Sequence, residues 1–422
     1  DEPWVFTWMP FGTYAATLEH SIAAMDGTVT SGFKEWNTAN LPAPTVTDPS
    51  KYFQTVIYTG DTNNNRNITG FQDAAGNNVT PDLVWLKSRS NGYSSYIQDV
   101  VRDFGASKEI ISDGTQAEGS QGTGNGYIGD EVAGGFTAVD GSSDDVYVNE
   151  NSVTYVAWMW KAGDSNTAVS ESGSGSGAVN ACTHRANTTS GFSIIKYTGF
   201  NDTISNGEHT LVTHGLGSPP VFMMGRSLDS TQDWFVLPGE NGGGTWSTDN
   251  HMHLNTADSS SGALHVQPAF PTSTAVKVGN DDLVNKANDE FIMYAWIRVP
   301  GMVAYGTYIG NNSANGPTII VNDGGNGFKP GWLMIKRVGG THHWRIWDSV
   351  RSAHNVVEDY LSASSAGQEY GAGVGKSLDF LANGFKIKTT DTDMNASSGT
   401  YIYLAFAEHP FGGSDVTQAK AR

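Results

Sequence analysis

Three stretches of the chain carry the same landmarks in the same order, and this constrains the fold more than any other feature. The first landmark is Tyr58-Thr59-Gly60, met again as Tyr197-Thr198-Gly199 and Tyr308-Ile309-Gly310. The second is Pro81-Asp82-Leu83-Val84-Trp85-Leu86-Lys87, then Pro220-Val221-Phe222-Met223-Met224, then Pro330-Gly331-Trp332-Leu333-Met334-Ile335-Lys336. The last is Tyr155-Val156-Ala157-Trp158, then Met293-Tyr294-Ala295-Trp296, then Tyr403-Leu404-Ala405-Phe406. Gly60 and Gly199 lie 139 positions apart, as do Pro81 and Pro220, and Ala157 and Ala295 lie 138 apart. From the second copy to the third the same three intervals are 111, 110 and 110. A register held within one residue, twice, is hard to obtain by chance, so the chain reads as three copies of one unit.

The copies are expected over residues 51–163, 192–300 and 301–412. The longer first interval has a source in residues 164–191, which contain Ser172-Gly173-Ser174-Gly175-Ser176-Gly177. That stretch has little apolar surface and is expected to be an unordered Gly/Ser-rich linker. Copies one and three share more than the landmarks. Gln98-Asp99-Val100-Val101-Arg102 matches Trp347-Asp348-Ser349-Val350-Arg351, and Gly134-Gly135-Phe136 matches Asn383-Gly384-Phe385. Copy two has Asp233-Trp234-Phe235-Val236 near the first of these places and lacks the Arg, so it is the divergent copy.

The landmarks read as strands. Phe385-Lys386-Ile387-Lys388 alternates apolar and charged residues with a period of two, and no stretch sustains a helical apolar period over four turns. With 51 glycines and only 16 % charged residues, the chain favours short strands joined by tight turns. The expected class is all-β: tandem β-sandwiches of jelly-roll or concanavalin-like type, each with enough of the 38 % hydrophobic residues to bury a core. A net charge of −19 opposes binding to nucleic-acid phosphates and to anionic membranes, so neither is expected as a partner. No run approaches the eighteen apolar residues of a membrane helix. The single cysteine, Cys182, excludes an intrachain disulfide and is expected to be a free thiol in the linker. The chain starts at Asp1 rather than Met, which reads as a processed product or as part of a longer protein.

The succession of Tyr58-Thr59-Gly60, Pro81 to Lys87, Asp99 to Arg102, Gly134-Gly135-Phe136 and Thr154 to Gly163 resembles a repeat of structural proteins from tailed marine bacteriophages. In that family the repeat often follows a SPRY-like, concanavalin-type sandwich, joined through a Gly-Phe-Lys segment and Asn-Leu-Pro-x-Pro. Gly32-Phe33-Lys34 and Asn40-Leu41-Pro42-Ala43-Pro44 stand there in this chain. The resemblance implies that residues 1–50 are the C-terminal remnant of such a sandwich plus a linker, and that residues 413–422 are a terminal polar tail. It also implies a virion location and, for an exterior fibre, a homo-oligomer, in particular a trimer.

Each chemical motif has a plainer reading. Gly124-Asn125-Gly126-Tyr127-Ile128-Gly129 fits GxGxxG, but Gly and Ser surround it where a dinucleotide site needs a strand and a helix. Asp61-Thr62-Asn63-Asn64-Asn65 opens like a calcium loop but has Arg66 and Gln72 where Gly and Glu belong. A structural calcium ion among Asp130, Glu131, Asp144 and Asp145 has suitable oxygen ligands without a fixed spacing. His251 and His253, or His342 and His343, lack a third ligand of zinc-like spacing. No cofactor and no catalytic residue is expected; the 43 acidic residues make glycosidase-like pairs impossible to choose. Asp99 with Arg102 and Asp348 with Arg351 are the best polar constellation. They are either a ligand clamp or, the reading preferred here, an ion pair fixing a loop. Trp85, Trp158, Trp296 and Trp332 are expected in cores. Trp4, Trp8, Trp36, Trp234, Trp246, Trp344 and Trp347 are expected to be freer for stacking on sugars or partners.

The resulting expectation is a non-enzymatic protein on the virion exterior, in a tail fibre, spike or similar appendage. Its partners would be other virion proteins and a host-surface glycan. The alternatives are a capsid decoration or reinforcement protein on the head, and a polysaccharide-degrading appendage.

Overall fold

The computed structural model describes residues 40–413, apart from 144–145, 201–203, 241–249, 263–265, 372 and 374. The expected sandwich remnant up to residue 39 and the tail from 414 lie outside the described residues. Three sandwiches follow one another. The first contains β1 (Phe53–Thr59), β2 (Arg66–Thr69), β3 (Leu83–Ser88), β4 (Tyr96–Asp99), β5 (Ile110–Ile111), β6 (Tyr127–Val132), β7 (Gly135–Val139) and β8 (Thr154–Trp160). Its large sheet runs β1-β8-β3-β4-β5 and its small one β2-β7-β6, with every pair antiparallel.

The second contains β9 (Thr167–Val169), β10 (Cys182–Asn187), β11 (Phe192–Thr198), β12 (Thr210–Thr213), β13 (Phe222–Ser227), β14 (Phe235–Pro238), β15 (Asn250–His253), β16 (Ser261–Gly262), β17 (Ala275–Val278) and β18 (Glu290–Trp296). Its large sheet runs β16-β15-β14-β13-β18-β11-β10-β9, over the pair β12-β17. The third contains β19 (Val303–Ile309), β20 (Thr318–Ile320), β21 (Phe328–Arg337), β22 (Arg345–Asp348), β23 (Leu361–Ser362), β24 (Leu378–Leu381), β25 (Gly384–Ile387) and β26 (Thr400–Pro410). Its sheets run β19-β26-β21-β22-β23 and β20-β25-β24, the order of the first sandwich. Single helical turns, Asp282–Asn285 and Thr392–Asn395, are each capped by an Asp side chain, Asp281 and Asp391.

The Tyr-x-Gly landmark does the same work three times. Tyr58, Tyr197 and Tyr308 stack on Tyr155, Phe291 and Tyr401 with ring centroids 5.0, 5.0 and 4.8 Å apart. Their hydroxyls donate to the carbonyls of Val148, Val284 and Met394. The next residue in each case, Asn149, Asn285 or Asn395, is a buried asparagine. Its side-chain oxygen accepts the backbone N–H of Asp61, Phe200 or Asn311, which directly follows the landmark glycine. The glycine is required by this close approach: a Cβ at Gly60, Gly199 or Gly310 would lie 2.0, 1.9 or 2.3 Å from the carbonyl oxygen of Glu150, Lys286 or Ala396. Gly310→Ala forces backbone apart and is expected to cost roughly 1–3 kcal/mol, read as a lower urea midpoint at unchanged slope.

The expectation of an unordered spacer over 164–191 is corrected. β10 pairs with β11 along its whole length and β9 pairs with β10, so the segment widens the second sheet. Its polar residues are spent inside the fold: Arg185 reaches Asp82 at 3.0 Å and Asn180 donates to Asn285 at 3.0 Å. A sheet edge offers backbone partners to any extended chain, so little apolar surface was needed. Cys182 is a buried free thiol on β10, hydrogen-bonded to Thr213.

The large sheets are buried on both faces. Val84 and Leu86 of β3 point into the first sandwich's own core, with Ile68, Phe136 and Met159. Leu83 and Trp85 point the other way, into a core common to all three sandwiches that includes Trp158, Trp296, Trp332 and Phe406. The same split holds for β21: Leu333 and Ile335 lie in the third sandwich's core, Trp332 and Met334 in the common one. This is why the strand reads as an unbroken apolar run rather than an alternating one. Trp332 meets Trp85, Trp158 and Trp160 at centroid distances of 6.5, 6.2 and 6.0 Å. Trp234, Trp344 and Trp347, expected to be freer, are all fully buried; Trp4, Trp8, Trp36 and Trp246 lie outside the described residues.

Candidate functional site

Both Asp–Arg pairs close a tight turn at the end of the fourth strand of their sandwich. Asp99 Oδ1 accepts the N–H groups of Val101 and Arg102 at 3.0 and 3.1 Å, and Oδ2 takes Arg102 Nε at 2.6 Å. Asp348 does the same with Val350 and Arg351. Each guanidinium also reaches a second carboxylate, Glu118 at 2.8 Å or Glu369 at 2.9 Å, and a strand carbonyl, Ile97 or Ile346. The arginine and aspartate side chains are at most 1 % exposed. Burial, the largest single influence, disfavours the charged guanidinium, but the surrounding groups together, Asp99 with Tyr294 and Glu118, or Asp348 with Glu369, outweigh it and raise the pKa of both arginines.

The fourth contact of each aspartate comes from a neighbouring sandwich. Tyr294 of the second donates its hydroxyl to Asp99 Oδ2 at 2.7 Å, and Trp158 of the first donates its indole N–H to Asp348 Oδ2 at 3.0 Å. An ionised carboxylate has about four lone-pair sites, and these carboxylates spend them inside the protein. Asp99, Arg102, Asp348 and Arg351 are therefore corrected as ligand-binding candidates and assigned to the scaffold. The second sandwich explains its own divergence. Sheet register places Pro238, opposite Phe222, where Asp99 and Asp348 stand opposite Leu83 and Trp332; Asp233 is not the counterpart. Sheet register also corrects the last landmark of the first copy by two residues: Trp160, not Trp158, matches Trp296 and Phe406, opposite Leu83, Phe222 and Trp332, so the position matching Trp158 and Tyr294 is Leu404. Acceptor and donor are thus replaced together by apolar residues, which leaves no buried charge unpaired.

Two further sets of contacts cross the same boundaries. Lys87, Arg226 and Lys336 lie six residues after the landmark prolines and are buried. Lys87 donates to Ser365 O at 2.9 Å, Arg226 to Gly114 O at 3.1 Å and Thr115 O at 2.7 Å, and Lys336 to Ala257 O at 2.9 Å. Burial pushes both lysines down to about 8 and Arg226 down to about 10. Trp234 and Trp344, also matching positions, donate to Ile111 O and His253 O at 2.8 Å each. In the remaining boundary Ser112 donates to Ala363 O, beside the Arg89–Glu369 ion pair. The first sandwich thus grips the third, the third the second and the second the first, closing a ring.

The other motifs resolve into structure. Gly124 to Gly129 leads into strand β6, not a helix. Asp61 turns on Asn63 and pairs with Arg66 at 3.3 Å. Among the described residues no three metal-ligating side chains cluster, and Asp144 and Asp145 lie outside them. His251 and His253 do sit side by side, 5.3 Å between rings, with His253 beside Asp233. Sequence reasoning missed a cluster on the third sandwich in which Asp393 accepts from His342 Nδ1 at 2.7 Å and Arg345 at 2.6 Å, with Lys376 at 3.3 Å. Only its histidine stood out in the sequence. His342 Nε2 is taken by Arg337 at 2.9 Å, so neither ring nitrogen is left for proton transfer. Burial works against the ionised Asp393, but its bond to His342 and the charges of Arg345 and Lys376 hold it well below the usual carboxylate range. The sign follows: this stabilisation is full above the unfolded pKa of about 4 and is lost as pH falls through the lower folded value. Asp393→Asn is expected to lower the urea midpoint at pH 7, and the gap to the parent should narrow at pH 3.

No curated protein and no solved structure matches the chain. A family model described as a domain of unknown function (DUF7483) matches residues 48–410. That span takes in all three sandwiches and the ring they close, and the chain belongs to this family.

Proposed function

We propose that the chain is a non-enzymatic structural and interaction protein of a phage virion, carried on an exterior appendage such as a tail fibre or spike. There it would be held by other virion proteins, as a homo-oligomer, and meet host-surface glycan through its loops. The observation that carries this reading is where the strongest polar groups go. The repeated Asp–Arg turns, the buried lysines and the indole N–H groups bind one sandwich to the next, and so make a rigid ring rather than a reaction centre. A rigid ring of sandwiches presents several loop sets at fixed spacing, and weak contacts repeated at fixed spacing gain by multivalency. The resemblance noted in the sequence supports the virion setting.

Antibody labelling of intact virions tests this. Label on tail appendages is the expected result; label spread over the head would replace the reading with capsid decoration. Release of reducing ends from host polysaccharide by the purified chain would replace it with an enzyme.

A further inference from the structure

The three sandwiches finish the outer edges of their first strands differently. In the second, one extended stretch covers both sheets: β10 pairs along β11, and residues 178–180 exchange backbone hydrogen bonds with Leu211 of β12. In the first, β1 and β2 end their sheets, and Arg66 closes the outer end between them. Its Nη1 donates to Thr59 O and pairs with Asp61 at 3.3 Å. A charged side chain on an edge deters pairing with another strand.

In the third, β19 and β20 end their sheets, and no charge closes their outer ends. Gly310 N–H donates to Gly399 and Ala407 N–H to Met302, so the even-numbered residues of β19 face β26 and the odd-numbered ones face outward. Val303 and Tyr305 give their outward N–H groups to Val299 and Asn322. Thr307 and Ile309 have no such backbone partner among the described residues. On β20, Val321 N–H donates to Asn383 and Pro317 O accepts from Ile387, which turns Thr318 and Ile320 outward. Thr307 and Ile320 border one hollow of 250 Å³, so the two edges adjoin.

Side chains repeat the contrast. Ile309 and Ile320 are 55 % and 62 % exposed, the most exposed large apolar residues among those described. Sheet register and the landmark place Thr59 and Thr69 at the matching positions of the first sandwich, and Pro317 where Arg66 stands. From Val299 to Asn322 the chain has no Asp, Glu, Lys, Arg or His. Of the charges that border this face, Glu240 and Arg298 pair with each other, and Lys386 sits one strand inward, opposite Thr318.

We infer that this open side of the third sandwich is the contact through which two copies of the chain pair about a two-fold axis, β19 against β19. An antiparallel strand pair is itself two-fold symmetric, so an edge strand can pair with its own image. Thr307 then stands opposite the partner's Ile309, and the two exchange the backbone bonds that each leaves open. Charge argues for a second copy as the occupant. Two chains of net charge −19 repel each other, and a two-fold contact brings each residue towards its own image, so identical acidic copies meet at least cost on an uncharged face. Ile309 and Ile320 of both copies are buried there. This inference rests on the homo-oligomer part of the proposed function and deepens it.

The test is sedimentation equilibrium on the full chain, with hydrogen exchange of peptides spanning residues 303–311 and 317–322 at high and low protein concentration. The parent is expected to associate in twos, with exchange of the first peptide slowed at high concentration. Ile309→Thr with Ile320→Thr gives the third sandwich the residues that the first already carries, and should weaken association by about tenfold or more at an unchanged circular dichroism spectrum. Ile320→Lys, which sets a charge on the edge, should weaken it further at low salt. Association that the double Thr variant leaves intact, or fast exchange of the first peptide in the associated parent, would overturn this surface while the homo-oligomer stands. A parent that is monomeric at every concentration would overturn both.

Discussion

Asp348→Ala is expected to destabilise the protein by about 3–5 kcal/mol, measured by urea denaturation at neutral pH. The carboxylate satisfies the turn N–H groups of Val350 and Arg351, the Arg351 guanidinium and the Trp158 indole N–H, and all but the first of these contacts are buried. Removing it leaves a guanidinium at 0 % exposure with one carboxylate, Glu369, and the Ile346 carbonyl. Adding Arg351→Met to the same variant should restore much of the loss, because a buried pair replaced whole by apolar groups is far less costly than a pair broken in half. A ligand clamp would behave otherwise: the single variant would keep its stability and lose only binding.

Trp332→Ala should be as damaging, at about 3–5 kcal/mol, and its effect should not stay within the third sandwich. The ring touches Trp85, Trp158 and Trp160 of the first and Phe406 of its own. A cavity there loosens the surface on which two sandwiches meet. Tryptophan emission dominated by Trp85 and Trp158, and hydrogen exchange of β3 and β8 amides, should report early opening of the first sandwich in this variant.

The strands, and much of their packing, were legible in the sequence because they obey local rules. The landmark glycines are forced by a carbonyl two angstroms away, and the Pro-led apolar runs by burial on both faces. Trp85, Trp158, Trp296 and Trp332 read as core for the same reason. What was not legible depends on contacts between copies. Trp234 and Trp344 looked free because each meets its acceptor, Ile111 or His253, about a hundred positions away. Asn149, Asn285 and Asn395 went unnoticed because their flanks differ, although each stands six residues before Tyr155, Phe291 or Tyr401. The segment 164–191 looked unstructured by composition, yet backbone pairing to β11 orders β10. The closed ring left one trace: strands such as Leu83 to Leu86 with no wet face.

The account stands or falls on the three sandwiches forming one body rather than beads on a string. Scanning calorimetry of the full chain measures this directly. One transition, with calorimetric and van't Hoff enthalpies in agreement and displaced as a whole by Trp332→Ala, is the predicted result. Two or three separate transitions, with only one of them moved by that substitution, would contradict it.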